Sequence, residues 1–196
     1  MKQFLLFSAL TFFGFSAMAQ IDKGNTLLGG NLGVYLYQTG QNNTGSNSTL
    51  QPFVQFAYKN NRTFGFTFDM NYWTSSSNDG QSKSQNFSFA PSINFTQYYP
   101  IKGSFGWWLQ EDAGVRFSNS KNVSQGIEQK SDATTVFANV TPGIFYAIGE
   151  KKNWLLTTSV GGIGGSYSGS NGVDTWSIGT SLFQYYRFGF AYIFKK

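Results

Sequence analysis

Cysteine and histidine are both absent from the 196 residues. Without a thiol there can be no disulfide, no thiolate metal site, no Cys nucleophile and no lipid-anchored cysteine at a processed N-terminus. Without an imidazole, the Ser-His and Cys-His catalytic pairs lose their base and the common zinc sites lose a ligand. Charge is also scarce, at 12% of residues with a net value of +5. The only basic pairs are Lys151-Lys152 and Lys195-Lys196, so no basic run offers a footprint for nucleic acid. Helix formers such as Ala, Leu and Glu are sparse, whereas Gly (23) and Phe (21) abound with only 4 Pro. That balance speaks against both a helical bundle and a disordered chain. The length suits one domain.

The N-terminus opens with Met1-Lys2-Gln3 and continues into an almost unbroken apolar run, Phe4 to Ala17, ending in Ala17-Met18-Ala19. The run is short for a spanning helix, which needs about 20 apolar residues. A short positive start, an apolar stretch and a small-x-small end form the pattern of a cleavable secretory signal. The reading is a signal peptide over 1–19 and one domain over 20–196. Beyond residue 19 no stretch is apolar for long enough to be a membrane helix, but a closed barrel can cross a membrane without one.

What the rest of the chain has is alternation. Phe64, Phe66, Phe68, Met70 and Tyr72 interleave with Thr63, Gly65, Thr67, Asp69 and Asn71, a period of two that marks a strand with two unlike faces. The same period runs through 27–37 (Leu28, Leu32, Val34, Leu36 against Gly29, Asn31, Gly33, Tyr35) and 50–59 (Leu50, Val54, Phe56, Tyr58 against Gln51, Gln55, Lys59). It continues through 86–96 (Phe87, Phe89, Ile93, Phe95) and 105–117 (Phe105, Trp107, Leu109, Ala113, Val115, Phe117). It recurs in 134–147 (Val136, Ala138, Val140, Ile144, Tyr146) and in a long last segment near 175–194. Residues 154–167 give two registers: Trp154, Leu156 and Val160 argue for one, Leu155 and Ile163 for the other. These make eight segments, or about 22 residues for each strand with its connection, where a spanning strand takes about 9–11. Sixteen strands would leave almost no connections, which excludes a porin-sized barrel.

Connections alternate in length. Long polar stretches at 38–49, 74–85 and 118–133 read as loops, with a shorter one near 168–173. Tight turns are expected at 59–62, 99–103 and 149–153. Long loops at one end and short turns at the other is the outer-membrane arrangement. A soluble lipocalin-like barrel or sandwich would put its apolar face inside instead. Here the apolar face is dominated by Phe, Leu, Val and Ile and nearly free of charge, and the opposite face carries Gly, Ser, Thr and Asn rather than Lys and Glu. Aromatics near segment ends (Tyr58, Tyr72-Trp73, Tyr98-Tyr99, Trp107-Trp108, Trp154, Trp176) suit interfacial girdles. The expected fold is therefore all-β, an eight-stranded antiparallel up-and-down transmembrane β-barrel.

The last strand reads Arg187-Phe188-Gly189-Phe190-Ala191-Tyr192-Ile193-Phe194. Arg187, Gly189, Tyr192 and Phe194 match the polar, glycine and two aromatic positions of the terminal signal that the barrel-assembly machinery reads, although two lysines follow where many barrels end on the aromatic. With this signal, the chain over 20–196 resembles the small eight-stranded OmpX/OmpA-type outer membrane β-barrel family. The resemblance implies a Gram-negative outer membrane location, both termini periplasmic, contact with outer membrane lipid, and the barrel-assembly machinery as partner during biogenesis. Roles in that family include adhesion, serum resistance and envelope maintenance, with an extracellular ligand met through the loops.

Inside such a barrel, strand parity places Asp69, Asp112, Arg116 and Arg187. Two acids and two bases can balance, and a hydrogen-bonded cluster of them would plug the lumen; the sharper alternative is a solute path. Strict alternation leaves Glu111 on the lipid face, unless a β-bulge near Gln110-Glu111 or a position near the interface relieves it. Lipid-modifying barrels rely on His with Ser, so no enzyme activity is expected, and no cofactor or metal site. Gly161-Gly162-Ile163-Gly164-Gly165 falls in a strand, where it reads as packing or a bend. Asn-x-Ser/Thr matches at Asn42, Asn47, Asn86, Asn94, Asn122 and Asn139 are chance in so Asn-rich a chain. Two functions remain: a structural or surface-interaction barrel, and a narrow channel.

Overall fold

A computed structural model describes residues 21–39, 43–77, 82–149, 151–159, 161–170, 173–180 and 187–196. The signal reading at 1–19 lies outside these residues, as do Asn42, Val160 and residues 181–186 of the long last segment. Ten strands follow one another: β1 Thr26–Thr39, β2 Asn43–Lys59, β3 Arg62–Ser77, β4 Ser82–Lys102, β5 Phe105–Ser124, β6 Ile127–Ile148, β7 Trp154–Ser159, β8 Ile163–Ser170, β9 Val173–Thr180 and β10 Arg187–Phe194. All pair antiparallel. β1 to β7 form a meander, and β10 pairs with both β7 and β1 to close an eight-stranded barrel. β8 and β9 extend the wall, β8 on the far end of β6 and β9 on β8.

The alternation sorts residues to the two faces as the period of two requires. Phe64, Phe66 and Phe68 are 40–46% exposed on the outside, while Thr63 and Thr67 between them are at most 2% exposed. Leu28, Val54, Ile93, Phe95, Val140 and Phe190 continue the apolar outer belt. This is the inverse of a water-soluble barrel, and it satisfies the strand backbones internally without a sheet edge over the closed part.

The double register at 154–167 has a simple cause. Gly143 pairs with Ser159 and Val140 with Ile163, so three steps on β6 face four on the other strand. One extra residue makes a β-bulge, and Gly161 sits there at φ +87°, a conformation that favours glycine. Each register holds on its own side of the bulge: Trp154 and Leu156 face out before it, Ile163 after it.

Within the polar stretches expected as loops, residues 74–77, 82–85, 118–124, 127–133, 38–39 and 43–49 are strand. β6 runs 22 residues, twice the length a spanning strand needs. β5 and β6 are paired in register from Phe105–Tyr146 to Ser124–Ile127 and turn through Gln125-Gly126 alone. Cross-strand side chains hold this extension together. Asn86 donates to Ser120, Asn119 donates to Asp132 at 2.7 Å, and Glu128 bridges Lys121 at 2.6 Å and Lys130 at 3.1 Å. Asn, Asp, Glu and Lys have low strand preference by composition, but cross-strand pairs stabilise a hairpin regardless.

Candidate functional site in the lumen

The lumen is layered. At the end carrying the short turns it is filled with apolar side chains: Leu27, Phe53, Ala57, Tyr98, Trp108, Phe145, Ala147, Leu155, Ala191 and Ile193, together with Ile21 from the segment before β1. Ile21 is fastened across the barrel mouth, its N–H donating to Asn61 Oδ1 at 2.9 Å and its carbonyl accepting from the Asn61 N–H at 2.8 Å. The alternation assigns the lumen to polar residues, whereas at this end it is packed with apolar ones. The signal of this apolar plug is visible in doublets. In Leu27-Leu28, Tyr98-Tyr99, Trp107-Trp108, Ile144-Phe145 and Leu155-Leu156 one member faces in and the other out. Of the aromatics expected in girdles, Tyr98 and Trp108 are inward and only 7% exposed, while their neighbours Tyr99 and Trp107 stack outside at 3.9 Å.

Above the plug lies a closed polar network centred on Gln55. Its Nε2 donates to Asn94 Oδ1 at 2.9 Å and to Thr96 Oγ1 at 3.0 Å; its Oε1 accepts from Thr63 at 3.1 Å and from the Tyr98 hydroxyl at 3.0 Å. Asn94 in turn donates to Thr67 at 2.7 Å. Gln55 therefore uses both donors and both acceptor sites of its amide, which is what makes so buried a polar group tolerable.

The four lumen charges sit next. Arg187 Nη2 lies 3.6 Å from Asp69 Oδ2, linking β10 to β3 across the barrel. Gln51 donates to the same carboxylate oxygen at 3.5 Å and accepts from Asn31 at 2.9 Å. Asp112 accepts from Asn139 at 3.2 Å. Arg116 places its guanidinium 5.2 Å from the centre of the Phe137 ring. One acid–base pair forms directly, and the other two charges are held by an amide and an aromatic face. Arg187, Gly189, Tyr192 and Phe194 fall on the strand that closes the barrel, with Tyr192 and Phe194 edge-to-face at 4.8 Å.

Two cavities meet at this layer. One, of about 350 Å3, lies toward the plug and is lined by Asp112, Gln110, Asn139 and Ser159 among others. The second, of about 620 Å3, lies toward the hairpins and is lined by Tyr35, Asn47, Asn71, Trp73, Asn86 and Ser118. Asp69, Arg116 and Arg187 border both. Among the described residues no cluster of acidic groups could hold a metal ion.

Glu111 is exposed on the outer face. Pairing runs unbroken through Asn94–Asp112, Phe95–Glu111 and Thr96–Gln110 and on to Val140, so no bulge turns the carboxylate inward. It lies six residues along β5 from Phe105, about 20 Å of strand, within the apolar belt rather than at its rim.

No family model matches the chain, and no curated protein matches it. Among solved structures, it is similar to Ail, the attachment invasion locus protein of Yersinia pestis, at 12% identity over 88% of this chain and 99% of that one, with a TM-score of 0.45. It is similar at 12% identity to Neisserial surface protein A, over 87% of this chain and 97% of that one, with a TM-score of 0.43. The translocator domain of the autotransporter NalP from Neisseria meningitidis is 11% identical over 97% and 93% of the two chains, with a TM-score of 0.32. At this level the likeness concerns the arrangement of strands alone.

Proposed function

We propose that this chain is an integral outer membrane β-barrel of the Gram-negative envelope. In this reading it acts by presenting its hairpins to the outside rather than by passing solutes. The observation that carries the reading is the length of the paired strands. β4, β5 and β6 hold 21, 20 and 22 residues, so each runs roughly ten residues past what the bilayer requires. A rigid polar sheet standing clear of the membrane is a surface for contact. The apolar plug and the Gln55 network support a lumen closed to ions at the turn end. The plug is mainly apolar, with the charge layer behind it. Ile21 and Lys196 lie at the turn end, so in this reading both termini face the periplasm, and Arg187, Gly189, Tyr192 and Phe194 serve the assembly machinery.

Single cysteines test the orientation. Ser46→Cys, on the extended part of β2, should react with an impermeant reagent on whole cells, and Asn61→Cys, in a short turn, should not. Labelling at Asn61 alone would reverse the topology. The refolded protein in a planar bilayer should show no discrete conductance steps. Regular steps in the wild type would favour the channel reading instead.

A further inference from the structure

We propose that the hairpin-side cavity is a binding well for a small saccharide bearing a single carboxylate, anchored by Arg116. Three ionised groups border this cavity: Asp69, Arg116 and Arg187. Asp69 and Arg187 compensate each other at 3.6 Å. Arg116 makes no ion pair among the described residues; its contact is the Phe137 ring, 5.2 Å from the guanidinium carbon. A cation–π contact uses none of the guanidinium's N–H donors as an ion pair would, and those donors form a fork matched to two oxygens of one carboxylate. Among the described residues lining the well, Arg116 is thus the one charge with no ionic partner, the other lumen acid, Asp112, being held by Asn139 in the adjoining cavity. A sugar phosphate would bring a charge of about −1.5 to −2 at neutral pH and overshoot that one charge, whereas a carboxylate balances it.

The walls point to hydroxyls and a ring. Asn47, Asn71 and Asn86 project planar amides into the space, and Trp73 and Tyr35 supply aromatic surface. Asn71 donates to Asn47 and, at 2.9 Å, to Thr49, which leaves its carbonyl oxygen as an acceptor. Aromatic faces take the C–H side of a pyranose as they take other polarised C–H edges, while the amides take its hydroxyls. The volume, about 620 Å3, is within the range of small-ligand sites. Tyr35 at the rim is 53% exposed, so solvent reaches the well there. The plug makes the well blind, so the ligand is held and not transported.

The site rests on the outward-facing reading for its biology, but its chemistry can be tested where orientation does not matter. The full-length protein in detergent micelles exposes both ends. Glucuronate, glucose, glucose 6-phosphate and acetate would be titrated separately while the Trp73 indole N–H resonance is followed, assigned by its loss in Trp73→Phe. Glucuronate should give a saturable shift, bound at least ten times more tightly than any of the other three. Arg116→Gln should weaken glucuronate about ten-fold or more while the folded, heat-modifiable band on a gel is unchanged. Should that variant fail to fold, Arg116→Lys, which keeps the charge but loses the fork, should fold and still weaken binding. No saturable shift with glucuronate, equal binding by a folded Arg116 variant, or tighter binding of the phosphate would each overturn the proposal. None of these outcomes bears on the labelling or conductance results.

Discussion

Leu155 and Leu156 are neighbours on β7 with opposite fates, and truncating each in turn measures the plug. Leu155 is 1% exposed and points into the barrel; Leu156 is 50% exposed and points out. On the two strands beside it, Leu155 is paired with Ala147 and Ala191. Leu155→Ala would leave three alanines side by side across β6, β7 and β10, with no larger neighbour on the ring to fill the space. Both truncations lose the transfer of three carbons out of water, about 2 kcal/mol. Only the inner one adds a cavity, which brings buried Leu→Ala changes up to about 3–5 kcal/mol. Outside, acyl chains close over the missing atoms. The expected gap is about 1–3 kcal/mol, or about 5- to 150-fold in the unfolding constant. Urea unfolding in lipid vesicles, followed by tryptophan fluorescence, reads both values, provided the denaturant slopes agree. If Leu156→Ala costs as much as Leu155→Ala or more, the turn end of the lumen is not packed and the closed-barrel argument fails.

Gly189→Ala should destabilise the closing seam by about 1–3 kcal/mol, because an added Cβ would meet Asn31 Oδ1 and lie 2.8 Å from the Gly30 carbonyl oxygen. Gly179→Ala, with nothing within 4 Å of its Cβ position, is the matched control, and equal urea midpoints would refute the close approach. Glu111→Leu should stabilise the protein by about 1–2 kcal/mol in vesicles, since an acid in the apolar belt costs somewhat less than the ~2–4 kcal/mol of a basic residue there; a fall in the urea midpoint would mean the carboxylate has a partner. Hydrogen bonds from Lys121 first, and then Lys130, hold the Glu128 carboxyl below its ordinary range. A group shifted down adds stability that is complete above its unfolded pKa and is lost as pH falls through the lower folded one. Amide exchange at the tip of the β5–β6 hairpin, taken relative to its intrinsic rate, should therefore begin to quicken as pH falls into the usual carboxylate range and go on quickening below it, and quickening already near neutrality would contradict it.

Strand parity was legible because one side chain in two must face lipid and the other must not. Thr63, Gly65 and Thr67 against Phe64, Phe66 and Phe68 leave no other assignment. Parity fails where both faces are apolar, and that happens at the turn end. Trp107-Trp108 reads as a girdle in either register, and only the closed ring shows that Trp108 turns inward to donate to the Ile144 carbonyl at 3.1 Å. The bulge at Gly161 was half visible. The conflict between Leu155 and Ile163 recorded an inserted residue, but a single strand read alone cannot separate an insertion from an ambiguous pattern. Its partner β6 supplies the missing count.

Local composition marks the extended hairpins as loops, whereas pairing makes them strand. Residues 118–124 and 127–133 are individually poor strand formers. Opposite one another they match Asn119 to Asp132 and set Lys121 beside Glu128 and Lys130 on β6, and each contact needs its partner strand already in register. That register is set within the belt, where Ala113–Ala138 and Val115–Val136 are fixed by the apolar face. The polar end inherits it through an unbroken ladder. The same dependence explains the charge layer. Parity aimed Asp69, Asp112, Arg116 and Arg187 at one lumen, but which of them meet depends on stagger around the ring. Arg187 reaches Asp69 because β10 lies next to β1 and the barrel is narrow enough to be crossed. Arg116, on the opposite wall, meets Phe137 on the adjacent strand instead, where it borders both cavities.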